Sequence, residues 1–271
     1  MKQILSCRTP GCLVGILFFQ ASLYADGPRA ELPKPQALLS RLIQRAEQIA
    51  KDGGKEKYSY QKRAVVEELN SKLEVVHSTE KFYQVVLIQG WPFSRLFKIQ
   101  GRELSPAELR KEEQREQEFR NKIAGRDLDK MAEHKEAGIS PELIARYQFK
   151  VVGKELVQNR TSFILDFVPN PSNPEKSAQD RIYNRLAGRI WLDEEDAEIA
   201  RLDVHLIDDL SLGWLGMLGS LKECHLVLDR QRMPDGVWVN VKQLVLLAGR
   251  KLVSSMRFRS LEESSGFQRQ P

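Results

Sequence analysis

Residues 188–221 read GRIWLDEEDAEIARLDVHLIDDLSLGWLGMLGSL, and the period inside them decides the fold class. A first strand enters at Gly188. The chain turns through Asp193, Glu194, Glu195 and Asp196, then returns with Ala200, Leu202, Val204 and Leu206 on one face and Arg201, Asp203 and His205 on the other. Alternation of this kind is the signature of a half-buried hairpin with one wet side. Four consecutive acids predict a solvated corner. Behind the hairpin comes an apolar run, Leu212 to Leu221, with Trp214, Met217 and three glycines spaced three apart. That run is the stretch expected to touch a ligand.

Toward the C-terminus the period of two continues. Cys224, Leu226 and Leu228 alternate with His225, Val227 and Asp229; Met233-Pro234-Asp235-Gly236 is a tight turn; Val237 to Leu247 and Leu252 to Phe258 are strands separated by a turn at Gly249-Arg250. The polar residues from Glu262 onward predict a frayed tail. Toward the N-terminus, Tyr147, Phe149 and Val151 alternate, the chain turns near Asn159, and Phe163, Leu165 and Phe167 share a face opposite Ile164, Asp166 and Val168. A proline-rich loop at 169–174 and a short helix, about Ser177 to Leu186, then deliver the chain to the opening hairpin. Consecutive hairpins favour a meander over parallel crossovers.

Two helices interrupt the strands. Leu38, Leu39, Leu42, Ile43, Ala46, Ile49 and Ala50 recur at helical spacing before Gly53-Gly54, so 37–51 is an amphipathic helix with an apolar face made for a sheet. Ser105-Pro106-Ala107-Glu108 is a capping box with proline in the first turn. The thirty or so residues after it are dominated by charge and predict a solvated helical insertion, about 105–138. Between the two helices, Tyr58 to Ile99 reads as long antiparallel strands with turns at Asn70-Ser71 and Ser78-Thr79-Glu80, broken by Gly90-Trp91-Pro92-Phe93 because proline cannot donate to a ladder. The class is therefore α+β, with an antiparallel sheet.

Residues 1–25 read as a cleavable export signal: Lys2 and Arg8 precede an apolar core, Cys12 to Phe19, and Ser22-Leu23-Tyr24-Ala25 offers a cleavage site. The apolar core is well short of the ~20 residues a membrane span needs. No transmembrane anchor is expected after cleavage. Removal of Lys2 and Arg8 lowers the formal charge from +5 to +3, too mild a balance to indicate nucleic acid. Cys224 would then be the sole cysteine, unable to form an internal disulfide.

No catalytic or metal-binding pattern emerges. His77, His134, His205 and His225 have no ligand spacing to one another or to a cysteine, although His205 and His225 could approach on paired strands. Gly213, Gly216 and Gly219 lack dinucleotide-loop spacing. The acids 193–196 lack the alternation and glycine of a calcium loop. No catalytic residue, metal or cofactor is assigned, and the protein is expected not to be an enzyme. Strands with one apolar face, amphipathic helices and the Trp/Leu/Met/Gly run are the parts of a sheet that curls around a greasy cavity, and equally of an ordinary core.

Three motifs carry a resemblance. Ile190-Trp191-Leu192-Asp193, the return strand Ile199-Ala200-Arg201-Leu202, and Pro234-Asp235-Gly236-Val237-Trp238-Val239, in this order of elements, resemble the LolA-like superfamily of periplasmic outer-membrane lipoprotein-sorting proteins over roughly residues 37–260. The resemblance implies an incomplete antiparallel β-barrel, a strongly curved sheet with helices covering its concave face. It also implies a periplasmic location in a Gram-negative cell envelope and a role in transport or sensing of acylated molecules. The expected layout is a signal peptide at 1–25, a tether at 26–36, one half-barrel domain at 37–262 with its helical insertion, and a polar tail at 263–271. On that reading an acyl chain or lipoprotein is the partner. Phe163, Leu165, Phe167, Leu202, Val204 and Leu206 line the concavity, and Trp214, Leu215, Met217 and Leu218 form its mouth. The alternative is a structural or regulatory envelope protein that uses the same fold to dock a partner protein.

Overall fold

The computed structural model describes residues 31–51, 57–124, 139–212, 219–251 and 254–270. Helix α1 (Pro35–Lys51) precedes strands β1 (Tyr58–Leu69), β2 (Val75–Ile88), β3 (Trp91–Ile99) and β4 (Arg102–Glu103). Helices α2 (Pro106–Ala124) and α3 (Pro141–Ala145) follow, then β5 (Tyr147–Val157), β6 (Arg160–Pro169) and helix α4 (Ala178–Tyr183). The chain ends in β7 (Leu186–Asp193), β8 (Ile199–Leu206), β9 (Leu210–Leu212), β10 (Gly219–Arg232), β11 (Trp238–Lys251) and β12 (Ser254–Arg269). All strands join one antiparallel sheet in the order β4-β3-β2-β1-β12-β11-β10-β8-β7-β6-β5, with β9 added to β10. The sheet is curved and does not close, an incomplete barrel.

The order is a meander with one exception: β1 pairs with β12, from Tyr58↔Arg269 to Glu68↔Phe258. The residues expected as a frayed polar tail are thus a strand in the middle of the sheet. Charge and aromatic packing both hold them there: Lys62 reaches Glu262 at 3.4 Å and Arg63 reaches Glu263 at 2.9 Å across the pair, and the Phe267 ring lies 5.0 Å from that of Tyr60. A second correction concerns Ser78-Thr79-Glu80. These three pair in register with Glu67, Val66 and Val65, so β2 runs straight through them. The turn is upstream, where the Asn70 side chain accepts from the backbone N–H groups of Lys72 and Glu74 and Leu73 takes φ 67°. Asparagine makes such local bonds readily.

Short hairpins set the register elsewhere. Gln89-Gly90, Gln100-Gly101 and Gln158-Asn159 each link two strands with positive φ at both residues, the pairing that matches the right-handed strand twist. Gln89-Gly90 therefore turns the chain tightly, and the expected break at Trp91-Pro92-Phe93 is the start of β3, where Pro92 pairs with Leu87. Proline is tolerated because β3 is nearly an edge strand: its other side meets only two-residue β4. Gly188 answers a steric demand, since a Cβ there would lie 2.0 Å from the Asp203 carbonyl oxygen.

Helix α2 starts at the expected box: the Ser105 N–H donates to Glu108 at 2.8 Å and the Glu108 N–H to the Ser105 hydroxyl at 3.4 Å. It lies along β3. The Leu96 N–H donates to Glu112 at 2.9 Å, and Arg115 donates to the Ser94 carbonyl, so helix side chains satisfy backbone groups that an open edge would leave exposed. Ile123 and Phe119 pack with Ile88, Trp91 and Phe93. Trp91 and Phe93 are core residues here. Residues 125–138 of the expected insertion lie outside the described residues.

Candidate functional site

The core beneath α1 occupies one end of the concave face. Leu38, Leu39 and Leu42 pack on Phe163, Leu165, Phe167, Ile190, Leu192 and Ile199. Pairing puts these on one face: Phe163 opposite Leu192, Leu165 opposite Ile190, and Ile190 opposite Leu202. Of the residues expected to line a concavity, Phe163, Leu165 and Phe167 lie under α1, with Leu165 only 1% exposed. Leu202 and Val204 are partly buried against the same cluster, and Leu206 is partly buried. Trp214, Leu215, Met217 and Leu218 lie outside the described residues.

Beyond Val204 the same face continues without a helix over it among the described residues. Direct cross-strand partners share a face, and the register runs Val204↔Leu226, Leu226↔Val245, Val245↔Ser260, Ser260↔Val66 and Val66↔Thr79. This rung is apolar apart from Ser260 until it ends at Thr79. A parallel rung carries Cys224, Leu247 and Phe258. Val66 is 43% exposed and Leu247 36%. These residues were not picked out from the sequence, because alternation assigns a side chain to a face but does not say which distant strand lies beside it. Burial pushes the Cys224 thiol up, away from thiolate chemistry.

Next along the sheet the face becomes polar. Lys62, Ala64, Val66, Thr79, Lys81, Tyr83 and Glu262 line an open depression of about 350 Å³. All belong to the register of the apolar rung: Glu262 faces Gln243 and Ala64, Ala64 faces Lys81, and Lys62 faces Tyr83. Burial raises the Tyr83 phenol above its ordinary range; Arg115 opposes the shift, and Glu112 and Glu262 add to it.

The acidic turn is the second structured locus, and it overturns the expected solvated corner. Asp193 is 1% exposed and Glu198 5%. Arg160 grips Asp193 with two bonds, 2.6 and 2.8 Å, while the Asp193 carboxylate also accepts the N–H groups of Glu195 and Asp196. Asp196 accepts from Arg232 at 2.6 Å and from the Trp238 indole at 2.9 Å. Glu198 receives Arg45 of α1 at 3.1 Å and Arg230 at 2.9 Å, and Arg41 of α1 donates to the Glu194 carbonyl at 2.8 Å. Only Glu195, whose side chain is 78% exposed, behaves as a solvated corner residue. Arginines at positions 41, 45, 160, 230 and 232 draw the turn inward, and nothing in the local pattern of four acids announces partners that distant. Burial alone would raise the Asp196 carboxyl, but the bonds from Trp238 and Arg232 and the charges of Arg232 and Arg160 bring it below the usual range. The Arg160 guanidinium is raised, first by its bond to Asp193.

On the opposite face, His205 and His225 are direct partners. His225 Nε2 lies 2.8 Å from Asp203. Among the described residues no group of three or more His, Cys, Asp and Glu side chains is placed to hold a metal ion, and no helix is long and apolar enough to cross a membrane.

No protein-family model matches the chain, and no curated protein does. Comparison with solved structures finds a putative outer membrane lipoprotein-sorting protein domain from Vibrio parahaemolyticus (8% identity, TM-score 0.32, 86% of this chain and 93% of that chain). It also finds a LolA superfamily protein from Nitrosomonas europaea (9%, 0.29, 86% and 94%). A third match is the MucA/MucB complex of Pseudomonas aeruginosa (10%, 0.23, 87% and 98%). LolA superfamily proteins, the family named by the sequence resemblance, are thus among the matches. At these scores the superpositions carry no functional information.

Proposed function

We propose that this chain is an exported, non-enzymatic envelope protein that shelters an acyl chain, free or attached to a lipoprotein, on the concave face of its open sheet. One observation supports the reading above others: the apolar rung Val204–Leu226–Val245–Val66 leaves the α1-covered core and crosses strands that no described helix covers. Four inter-strand steps of about 4.8 Å make that track roughly 19 Å long, long enough for an extended fatty chain. Each methylene taken out of water contributes about 0.8 kcal/mol. In this reading Leu202, Val204 and Leu206 form the accessible start of the track. Phe163, Leu165 and Phe167 are the floor that Leu38, Leu39 and Leu42 already occupy, so a longer guest competes with α1. Trp214, Leu215, Met217 and Leu218 keep the role of mouth, a task suited to adaptable methionine and glycine-rich sequence. The signal-like residues 1–25 support export to the periplasm.

Protein exported to a bacterial periplasm is extracted for lipid and titrated with an apolar fluorescent probe. The expected result is a co-purifying acyl lipid and saturable probe binding that Leu226→Asp and Val245→Asp abolish while the β-sheet circular dichroism persists. Absence of both lipid and probe binding sinks the acyl reading and leaves the partner-docking alternative.

A further inference from the structure

The polar depression at the far end of the apolar track is a poor arrangement for a sheet with nothing bound to it. Lys62 on β1 and Lys81 on β2 are diagonal neighbours on one face, separated by the small Ala64. Diagonal cross-strand side chains of this length interact, and like charges repel. The lining has a single carboxylate for the two, Glu262, and it pairs with Lys62 alone at 3.4 Å; Lys81 has no ion pair among the described residues. The Lys62 ammonium also stands 5.3 Å from the centre of the Tyr83 ring, a favourable contact for a cation. That contact holds it over the depression. Two hydroxyls complete the lining. The Tyr83 phenol makes no hydrogen bond to a described residue, and the Thr79 hydroxyl lies 3.3 Å from His77 Nε2. The lining therefore offers two ammonium groups and the Tyr83 hydroxyl donor against one carboxylate, with the Thr79 hydroxyl shared with His77, on a floor of Ala64 and Val66. That donor excess suits an oxyanion.

Position adds a second constraint. Val66 belongs both to this lining and to the apolar rung, so the polar end and the greasy track form one continuous surface. A free inorganic anion has no use for the track, and a neutral hydrocarbon none for the lysines. We infer that the Lys62–Lys81–Tyr83–Thr79 depression holds the anionic head, a carboxylate or phosphate, of an acyl amphiphile whose chain lies along the rung toward Val204. This assignment rests on the acyl reading of the concave face.

Competition against the bound fluorescent probe tests it, with palmitate, hexadecanol and inorganic phosphate as competitors on the full exported chain. Palmitate should outcompete hexadecanol by about fivefold or more, the scale of one partly exposed charge pair. Lys81→Gln should bring that ratio toward one and Lys81→Arg should restore it. Glu262→Gln, which frees Lys62 and removes the opposing carboxylate, should raise the ratio; a fall there overturns the assignment. Equal competition by palmitate and hexadecanol on the wild type overturns the anionic subsite and leaves the acyl track standing. Competition by neither overturns both. Phosphate competing as well as palmitate overturns the amphiphile in favour of a free anion.

Discussion

The two ends of the concave face are built from the same alternating strands and finish in opposite states. Across β5–β8 the inward side chains are sealed by α1, and Phe163, Leu165, Ile190 and Leu192 are buried. Across β10, β11 and β12 the inward side chains Leu226, Leu228, Val245 and Phe258 stay half-buried, and Val66 on β1 is exposed. Alternation decides which face a residue takes; whether that face becomes core or binding surface is decided by what is fastened over it. Here Leu38, Leu39 and Leu42 bury the helix against the sheet, and Arg41 and Arg45 tie it in addition to the acidic turn.

Matched truncations should break or sharpen this contrast most strongly. Leu165→Ala is expected to cost about 2–4 kcal/mol in a denaturant titration, and Leu226→Ala less than half of that because water already reaches the site. Equal losses would mean the middle strands are as sealed as the α1 end. Next in size, Asp193→Asn removes the charge between two Arg160 bonds and should cost about 1–3 kcal/mol. Its urea midpoint should fall without a change of slope. A smaller loss of stability, about 1 kcal/mol, is expected for the pair Arg41→Ala with Arg45→Ala. Probe binding should rise in that variant, because a loosened α1 opens Phe163 and Phe167 to a guest; reduced binding would show that α1 forms part of the site. The smallest effect is on acid stability. Asp196 is held below the ordinary carboxylate range, so its contribution is complete above that range and is lost as pH falls through it toward the folded-state value. Asp196→Asn should flatten the acid limb of the stability profile; an unchanged limb refutes the assignment.

Much of the architecture was legible in residues 188–221 and their neighbours, because burying one face of a strand imposes a period of two, and Ser105 and Glu108 cap a helix by local bonds. Three polar stretches were not legible. Ser78-Thr79-Glu80 resembles a turn by composition, yet its polar side chains simply stand on a wet strand. Glu262 to Arg269 resembles a tail, yet it is held by charges and tyrosine rings roughly two hundred residues upstream. Asp193 to Asp196 resembles a solvated corner, yet five arginines from three separate elements converge on it or on Glu198. Each miss has one cause: polar residues were read by their own affinity for water, while their partners are distant in sequence. The candidate site suffered in the same way, since Val66, Val245 and Thr79 become neighbours only through β1 and β12.

That pairing has a consequence for how the molecule comes into being. Strand β1 is among the first parts of the sheet to emerge in synthesis, and its neighbour β12 is the last, with Lys62 and Glu262 separated by 200 positions. The meander β5–β12 can zip up from local hairpins, but the seam between Tyr58–Leu69 and Ser254–Arg269 must wait for the whole chain and then close a very long loop. Until then the β1 edge lies open, a strand template carrying two basic residues, Lys62 and Arg63, and two acidic ones, Glu67 and Glu68. Charges on such an edge discourage another chain from annealing to it, so the residues that later stitch the seam also guard it during the interval before β12 arrives.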